Sequence, residues 1–454
     1  MKIINPANNQ VLKEVNQTSA SEIKRMLEAA NKAQAEWKVT SLSKRLACIE
    51  KFHSLLTENI QSLAADLTAE VGKPLQESVN EVNGACKRIR FFLTETQKWI
   101  EQKEVNMDGN TREVLAYDPL GTIANISAWN YPFLVGVNVF IPALITGNCV
   151  LYKPSEFATL TGLNITKLLH QAGVPAAVFQ CVVGAREAGE ALLDLPLDGY
   201  FFTGSFKTGK TIAERVAHKL VPVGLELGGK DSLYVTDEIA NLEQVADAVV
   251  EGCFYNNGQS CCAVERVYVH QKIYDQFMNL MEDRVRKLQV GSPTASNIQQ
   301  GAVTRPVHLE FLEAQVKDAL NKGAKLLVGG KKIAGPGSFF EPTLMVNVNH
   351  SMRLMKEETF GPLIGVMKIR DDEEAIKLMN DSDYGLTAAV YSKNIDRAKK
   401  VLQQVDTGTS YINCCDRVSA YLPWSGRRNS GLGSTLSYLG ILAFTKPRGW
   451  HIRG

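Results

Sequence analysis

Apolar residues recur at helical spacing through the first part of the chain. Ile23, Met26, Leu27 and Ala30 form one stripe, and Leu46, Ile49, Phe52 and Leu56 continue a second run from Ser43 toward Val71. Ser21 is the expected cap of the first helix. Gly72, Lys73 and Pro74 break the second run, and a long amphipathic helix is expected over residues 75–100. Asn-Pro and Asn-Asn turn signals within residues 5–15 predict a short, irregular strand pair ahead of these helices. A layer of amphipathic helices has an apolar face that another layer must cover.

From Val114 the pattern changes to short β-rich runs at 121–126, 149–152, 180–183, 199–203 and 221–226, alternating with helical patterns at 160–172 and 212–219. That alternation predicts an α/β architecture, a parallel sheet with helices on both faces, which binds dinucleotides at the carboxyl ends of its strands. A second alternation over 232–408, with strands expected at 265–270, 325–328, 365–369 and 388–391, indicates a second domain of similar size. The tail is β-prone at 441–444 and 449–452 and reads as an edge strand in need of a partner. Asn138, Asn148, Pro142 and two glycines interrupt the apolar run at 132–151, so it reads as a buried helix and a buried strand rather than a membrane span.

Composition narrows the function classes. A chain of 454 residues is too long for one core, and 45% apolar with 22% charged residues is the balance of a globular protein. Fifty basic against 48 acidic residues, with no block of like charge, exclude a nucleic-acid or membrane footprint and favour a small-molecule partner. Residues 1–10 lack the apolar core of a signal peptide, and nine cysteines without a repeating spacing suit a reducing compartment, so a cytoplasmic location is expected. The seven histidines show no metal-ligand spacing and no Cys-x-x-Cys occurs, so no metal site is expected.

Two stretches carry candidate chemistry. Phe-Tyr-Asn-Asn-Gly-Gln-Ser-Cys-Cys-Ala at 254–263 clusters loop formers, and Gly258 can take positive φ, so the chain can turn sharply and present Cys261. The alternative is a buried, inert cysteine pair. Gly-Ser-Phe-Lys-Thr-Gly-Lys-Thr at 204–211, between an expected strand and an expected helix, matches the phosphate-cradling loop of nucleotide triphosphatases. The same helix start would equally offer amides to the pyrophosphate of a dinucleotide.

Taken together, Asn5-Pro-Ala, Ser-Ala-Trp-Asn-Tyr-Pro-Phe at 127–133, Lys-Pro-Ser-Glu at 153–156, Phe-Thr-Gly-Ser at 202–205, Glu-Leu-Gly-Gly-Lys at 226–230, the cysteine stretch, and Glu-Glu-Thr-Phe-Gly-Pro at 357–362 form one ordered pattern. The chain resembles the NAD(P)-dependent aldehyde dehydrogenase superfamily over nearly its whole length, closest in texture to succinic semialdehyde and betaine aldehyde dehydrogenases. The resemblance implies a Rossmann-like cofactor domain (1–100 and 120–227), an α/β catalytic domain (228–424) and a small β oligomerisation element (101–119 and 425–454) in a homodimer or homotetramer. It implies oxidation of an aldehyde to its acid, with Cys261 as nucleophile, the Asn130 side-chain amide and the Cys261 N–H as oxyanion donors, and Glu226 as the base that activates water. Read without it, Asn130 could fix a turn before Pro132, and Glu226 could be an ordinary carboxylate at a strand end.

For the cofactor the resemblance points to NAD, with NADP as the alternative. Lys153 and Glu156 match positions at the adenosine ribose, Gly204 and Ser205 the pyrophosphate turn, and Glu358 and Phe360 the nicotinamide side, with Trp129 beside them. A solvated Lys153–Glu156 pair and a plain core Phe360 are the bland readings. Tyr131, Leu134, Ser260, Cys262, Arg417 and Trp424 are expected around the substrate. Arg417 could meet a distal carboxylate or lie in solvent, and the aromatic rings could instead hold a quaternary ammonium. Ala128 and Ser425 depart from the family's usual Pro and Gly.

Overall fold

The computed structural model describes residues 1–454. The chain opens with β1 (Lys2–Ile4) antiparallel to β2 (Val11–Glu14), so the turn signals mark the connection between the strands, closed by the Asn5 N–H on the Gln10 carbonyl at 2.9 Å. Four helices follow: α1 (Ala20–Trp37), α2 (Leu42–Glu58), α3 (Ile60–Val71) and α4 (Leu75–Ile100). Ser19, not Ser21, caps α1, because its hydroxyl accepts from the Glu22 amide while the Glu22 carboxylate reaches back to the Ser19 N–H, a reciprocal capping box. The run from Ser43 toward Val71 is two helices, broken at Asn59 (φ −111°, ψ 13°).

After β3 (Lys103–Asp108) and β4 (Thr111–Pro119), a doubly wound unit is built from β5 (Thr122–Ile126), β6 (Cys149–Lys153), β7 (Phe179–Cys181), β8 (Gly199–Thr203) and β9 (Val223–Glu226). These five lie parallel in the order β9-β8-β5-β6-β7, and Gly431–Leu432 adds an antiparallel edge beside β9. The connecting helices are α5 (Pro132–Ile145), α6 (Thr159–Gln171), α7 (Arg186–Asp194) and α8 (Phe206–Val216). The helix expected at 212–219 therefore starts earlier, directly after Ser205, which caps it.

The apolar run at 132–151 is the buried helix α5 followed by the buried strand β6. Helix α5 lies under the α1–α2 layer, whose polar tips satisfy its last carbonyls: Trp37 Nε1 donates to Leu144 and Arg45 Nε to Ile145, at 3.1 and 2.8 Å. No helix is long and apolar enough to cross a membrane.

The second sheet has seven strands. β10 (Asp231–Val235), β11 (Val264–His270), β13 (Thr343–Val346), β14 (Leu363–Ile369), Thr387–Tyr391 and Thr409–Ile412 run parallel, and β12 (Lys325–Val328) is antiparallel at one edge. Both faces are buried: Leu233, Val267 and Val269 pack under α9 (Leu242–Phe254), while Tyr234, Tyr268 and Val390 fill the opposite side.

The tail differs from expectation. Residues 441–444 do not form a strand; Ser437–Leu442 is a short helix, and the strand is Thr445–Arg453, antiparallel to β4 along its whole length. The apolar residues there serve the core instead. Phe444 lies 4.5 Å from the Phe201 ring, and its carbonyl accepts from Asn148 Nδ2 at 2.9 Å.

Candidate active site

Four strand ends converge. Residues 127–130 follow β5, Lys153 closes β6, Gly204 and Ser205 follow β8, and Glu226 closes β9, all at carboxyl ends. The chain leaves β5 toward β6 on one side and returns through β8 on the other, so a crevice opens where the strand order reverses. A cleft of about 820 Å³ occupies this place, and every residue expected at the cofactor lines it together with Asn130, Glu226 and Cys261.

The dinucleotide-like end of the cleft has features that suit a phosphate-bearing ligand. The Ser205 hydroxyl takes the Thr208 amide, which leaves the amides of Phe206 and Lys207 without partners in the chain at the start of α8. A Cβ on Gly204 would stand 2.4 Å from the Phe202 ring, so this approach must stay bare. Lys153 is buried, which pushes its ammonium below the ordinary lysine value, while nearby Glu156 acts to restore it. The triphosphatase reading of 204–211 fails here: Lys210 faces Glu214 on the exposed side of α8, outside the cleft that Lys207, Thr208 and Thr211 line.

At the other end, Trp129 meets the Phe360 ring edge-on at 5.5 Å. Phe360 has φ +49°, a left-handed conformation rare for a bulky residue, and Glu265 holds it there by accepting the amides of Thr359 and Phe360, both at 2.8 Å. Glu265 also pairs with buried Lys230 at 2.7 Å. The Glu358 carboxyl accepts from the Gly229 N–H at 3.0 Å, and burial together with Glu265 pushes it up to about 8.

The thiol loop connects α9 to β11. Asn256, Asn257 and Gly258 take φ +55°, +57° and +67°, three successive left-handed residues of types that tolerate it. Side chains from distant segments fasten the turn. Glu77 accepts the Asn256 amide at 2.9 Å, Asn257 bonds the backbone at Gly301 and Ala302, and Thr304 donates its amide to Gln259 Oε1. Cys261 emerges half-buried into the cleft, and Cys262 points away, donating its thiol to Asp416 at 2.9 Å.

Asn130 Nδ2 donates to the Gln259 carbonyl at 3.1 Å, which ties the loop after β5 to the thiol loop. Glu226 accepts from Thr435 Oγ1 at 3.1 Å through one oxygen, and its other oxygen has no partner. Burial pushes this carboxyl up to about 8, against the pull of the hydroxyl and of Arg88. A thiol, a side-chain amide and a buried carboxyl with a raised pKa therefore share one cleft, a combination suited to acyl chemistry on a thiol.

The sequence profile of the aldehyde dehydrogenase family matches residues 1–449. The chain belongs to the aldehyde dehydrogenase family. It is an oxidoreductase that acts on aldehydes. Among its relatives is a succinate-semialdehyde dehydrogenase [NADP(+)] of Deinococcus radiodurans, 33% identical over 98% of this chain and 93% of that protein. A 3-sulfolactaldehyde dehydrogenase of Pseudomonas putida is 32% identical over 97% of this chain and 90% of that one. The crystal structure of betaine aldehyde dehydrogenase from Staphylococcus aureus in complex with NAD+ superposes with a TM-score of 0.96 at 30% identity, covering 100% of this chain and 92% of that one.

In this aldehyde dehydrogenase the expected substrate residues separate. Tyr131 and Leu134 stand beside Asn130 at the start of α5, and Ser260 lies buried with its hydroxyl 3.4 Å from Cys262 Sγ. Trp424 is buried in the core that joins the helical layer to the first sheet, and the Arg417 side chain is exposed with no hydrogen bond or ion pair. Sequence reasoning passed over Glu77, Glu81, Arg88, Glu265 and Thr435. A signal existed for the first two, which are charges on the stripe of α4 that also carries Val82, Ala85 and Ile89. Lys73 was read only as part of a helix break, yet it is buried, bonded to Glu81 at 2.7 Å and set 4.2 Å from the Tyr131 ring.

Proposed function

We propose that this aldehyde dehydrogenase oxidises a semialdehyde, an aldehyde with an anionic far end such as succinic semialdehyde, to its acid with NAD or NADP as cofactor. A nicotinamide dinucleotide, when bound, supplies the two-electron acceptor. Lys153, Glu156, Gly204 and Ser205 would hold its adenosine and pyrophosphate portion, and Trp129, Glu358 and Phe360 its nicotinamide portion. The carboxylate of Glu156 would accept ribose hydroxyls and repel a 2′-phosphate, which favours NAD.

Cys261 Sγ adds to the carbonyl carbon and forms a thiohemiacetal, whose oxygen takes hydrogen bonds from the Asn130 amide and the Cys261 N–H. The Asn130 Nδ2 has two N–H groups, so one can hold the Gln259 carbonyl while the other serves this oxygen. Once the C–H hydrogen has left the carbon with its bonding pair, as hydride, the product is a thioester on Cys261. Glu226 then takes a proton from a water that attacks this thioester, releasing the acid and restoring the thiol. The observation that carries this reading is the single unpartnered oxygen of Glu226 in the same cleft as Cys261.

Oxidation of a quaternary ammonium aldehyde is the weaker alternative, since the Tyr131 ring already faces the Lys73 ammonium and Trp424 is taken up by the core. We further infer a homodimer or homotetramer assembled through Thr445–Arg453 and β3, whose Val105, Met107 and Trp450 side chains are exposed. The test is NADH formation by purified protein with semialdehydes, betaine aldehyde and neutral aliphatic aldehydes, with Cys261→Ala alongside. Turnover that survives the substitution, or none with any aldehyde, would sink the reading.

A further inference from the structure

Arg88 differs from four of the buried cations of this molecule; a fifth, Lys153, bonds only the Pro154 carbonyl at 3.2 Å and lies at the cofactor end of the cleft. Arg45, Lys73, Lys230 and Arg266 each spend their donors on carboxylates or on clusters of backbone carbonyls. Arg88, half-buried on α4, uses only Nη1, which donates to the Leu134 carbonyl and to Asn138 Oδ1, both at 3.0 Å. Its Nε and Nη2 have no partner in the chain, and no carboxylate lies within ion-pair distance. Guanidinium presents five N–H donors in a fixed fork that suits a planar anion, and a shielded cation without a counter-charge is a costly arrangement for a fold to keep.

Its location says which anion it awaits. Leu134 and Asn138 are one turn apart on α5, the helix that begins directly after Asn130 and Tyr131, so the fork is clamped to the element that follows the oxyanion-side amide. The charges that reach Arg88 are those of Cys262, Glu81, Cys261 and Glu226. Glu81 is already neutralised by Lys73, and Cys262 donates its thiol to Asp416. The remaining two are the nucleophile and the base. Burial lowers the guanidinium only to about 10, so it stays a cation at neutral pH.

We propose that the free edge of Arg88 binds the anionic terminus of the aldehyde, a carboxylate or sulfonate at the far end of a short chain, while the carbonyl carbon lies at Cys261. This rests on the aldehyde-oxidising reading above and assigns to Arg88 the role that sequence reasoning had offered to exposed Arg417. Arg88 is thereby a specificity-determining residue: it selects anionic over neutral aldehydes and takes no part in the bond changes.

The test compares kcat/KM for succinic semialdehyde and for butanal, which is uncharged and of equal chain length, in the wild type, Arg88→Met, Arg88→Lys and Arg417→Met. In the wild type the anionic aldehyde is preferred. Arg88→Met lowers kcat/KM for it by roughly 30- to 100-fold, the size expected for a lost hydrogen bond to a charged group, chiefly through KM, while butanal loses far less. Arg88→Lys restores part of the preference, and Arg417→Met leaves it in place. Equal losses on both aldehydes, or a preference that follows Arg417 instead, would overturn the assignment. Since Arg88→Met could fold poorly, succinate is also tested as an inhibitor of the unaltered enzyme. Competition against butanal supports the site, and none at concentrations far above the KM for succinic semialdehyde rejects it. Butanal turnover with no preference for the anionic aldehyde in the wild type refutes the inference and leaves the aldehyde reading standing, whereas no turnover of any aldehyde removes both.

Discussion

Lys73 and Glu81 form an ion pair at 2.7 Å with both side chains wholly shielded from solvent, and the same ammonium donates to the Asn130 carbonyl at 2.5 Å. The second Glu81 oxygen accepts the Phe133 amide at 2.8 Å. One buried pair thus fixes the backbone on both sides of Tyr131. Lys73→Met strands a buried carboxylate and should lower stability by about 3–5 kcal/mol in guanidinium titrations. Lys73→Met combined with Glu81→Leu should recover much of that loss, because it removes both charges. A double variant no more stable than the single one would show that the pair is not the source of the cost.

Glu226 gives the pH dependence. In its proposed role as base Glu226 must be ionised, and its carboxyl is pushed up to about 8, so steady-state turnover should rise about tenfold per pH unit below that value and level off above it. Glu226→Gln should still release one equivalent of NADH in a burst, then turn over roughly 100- to 10,000-fold more slowly, because the thioester accumulates. Rapid-mixing absorbance measures both phases, and loss of the burst itself would place Glu226 in an earlier step.

The adjacent cysteines should behave differently. Cys262 is a buried donor to Asp416, and its thiol is pushed well above the ordinary value by neighbouring Cys261, by burial and by that carboxylate. Thiolate is the reactive form, so iodoacetamide at neutral pH should label Cys261 and spare Cys262 in the folded protein. A reversible disulfide between them is correspondingly disfavoured. Peptide mass spectrometry after limited alkylation decides the point, and equal labelling would contradict it.

Gly258 combines φ +67° with a site where an added Cβ would stand 2.3 Å from the Gly361 carbonyl oxygen. Gly258→Ala should cost about 1–2 kcal/mol from the left-handed backbone alone, and more from the contact. Because the loop carries Cys261, kcat should fall together with thermal stability. A stable, fully active variant would show that the turn relaxes elsewhere.

The last strand pairs with β4 from Thr445 opposite Pro119 to Arg453 opposite Thr111. Deleting residues 445–454 removes that pairing and the exposed Trp450 and Ile452 side chains. Light scattering should show a loss of assembly, with a smaller particle than the full chain. An unchanged mass would place the subunit contacts elsewhere.

Local and periodic features carried much of this structure in the sequence alone. The helical stripes of α1 and α4, the alternation that builds both sheets, and the left-handed turn before Cys261 all follow from side-chain spacing and from Asn and Gly chemistry over a few residues. The ordered motifs pointed to the family because each sits at a strand or helix end, where local geometry demands particular residues.

Tertiary structure decided the rest. Ser21 is as good a cap as Ser19 until the reciprocal Glu22 bonds select one, and residues 441–444 look β-prone until Phe444 finds Phe201. Thr435 reaches Glu226 and Asp416 reaches Cys262 across 209 and 154 residues of chain, and Arg88 meets Asn138 from a helix whose sequence shows only amphipathicity. A charge becomes informative only when its burial and its missing partners are known, and both are set by which segments the fold packs together rather than by neighbours in the chain.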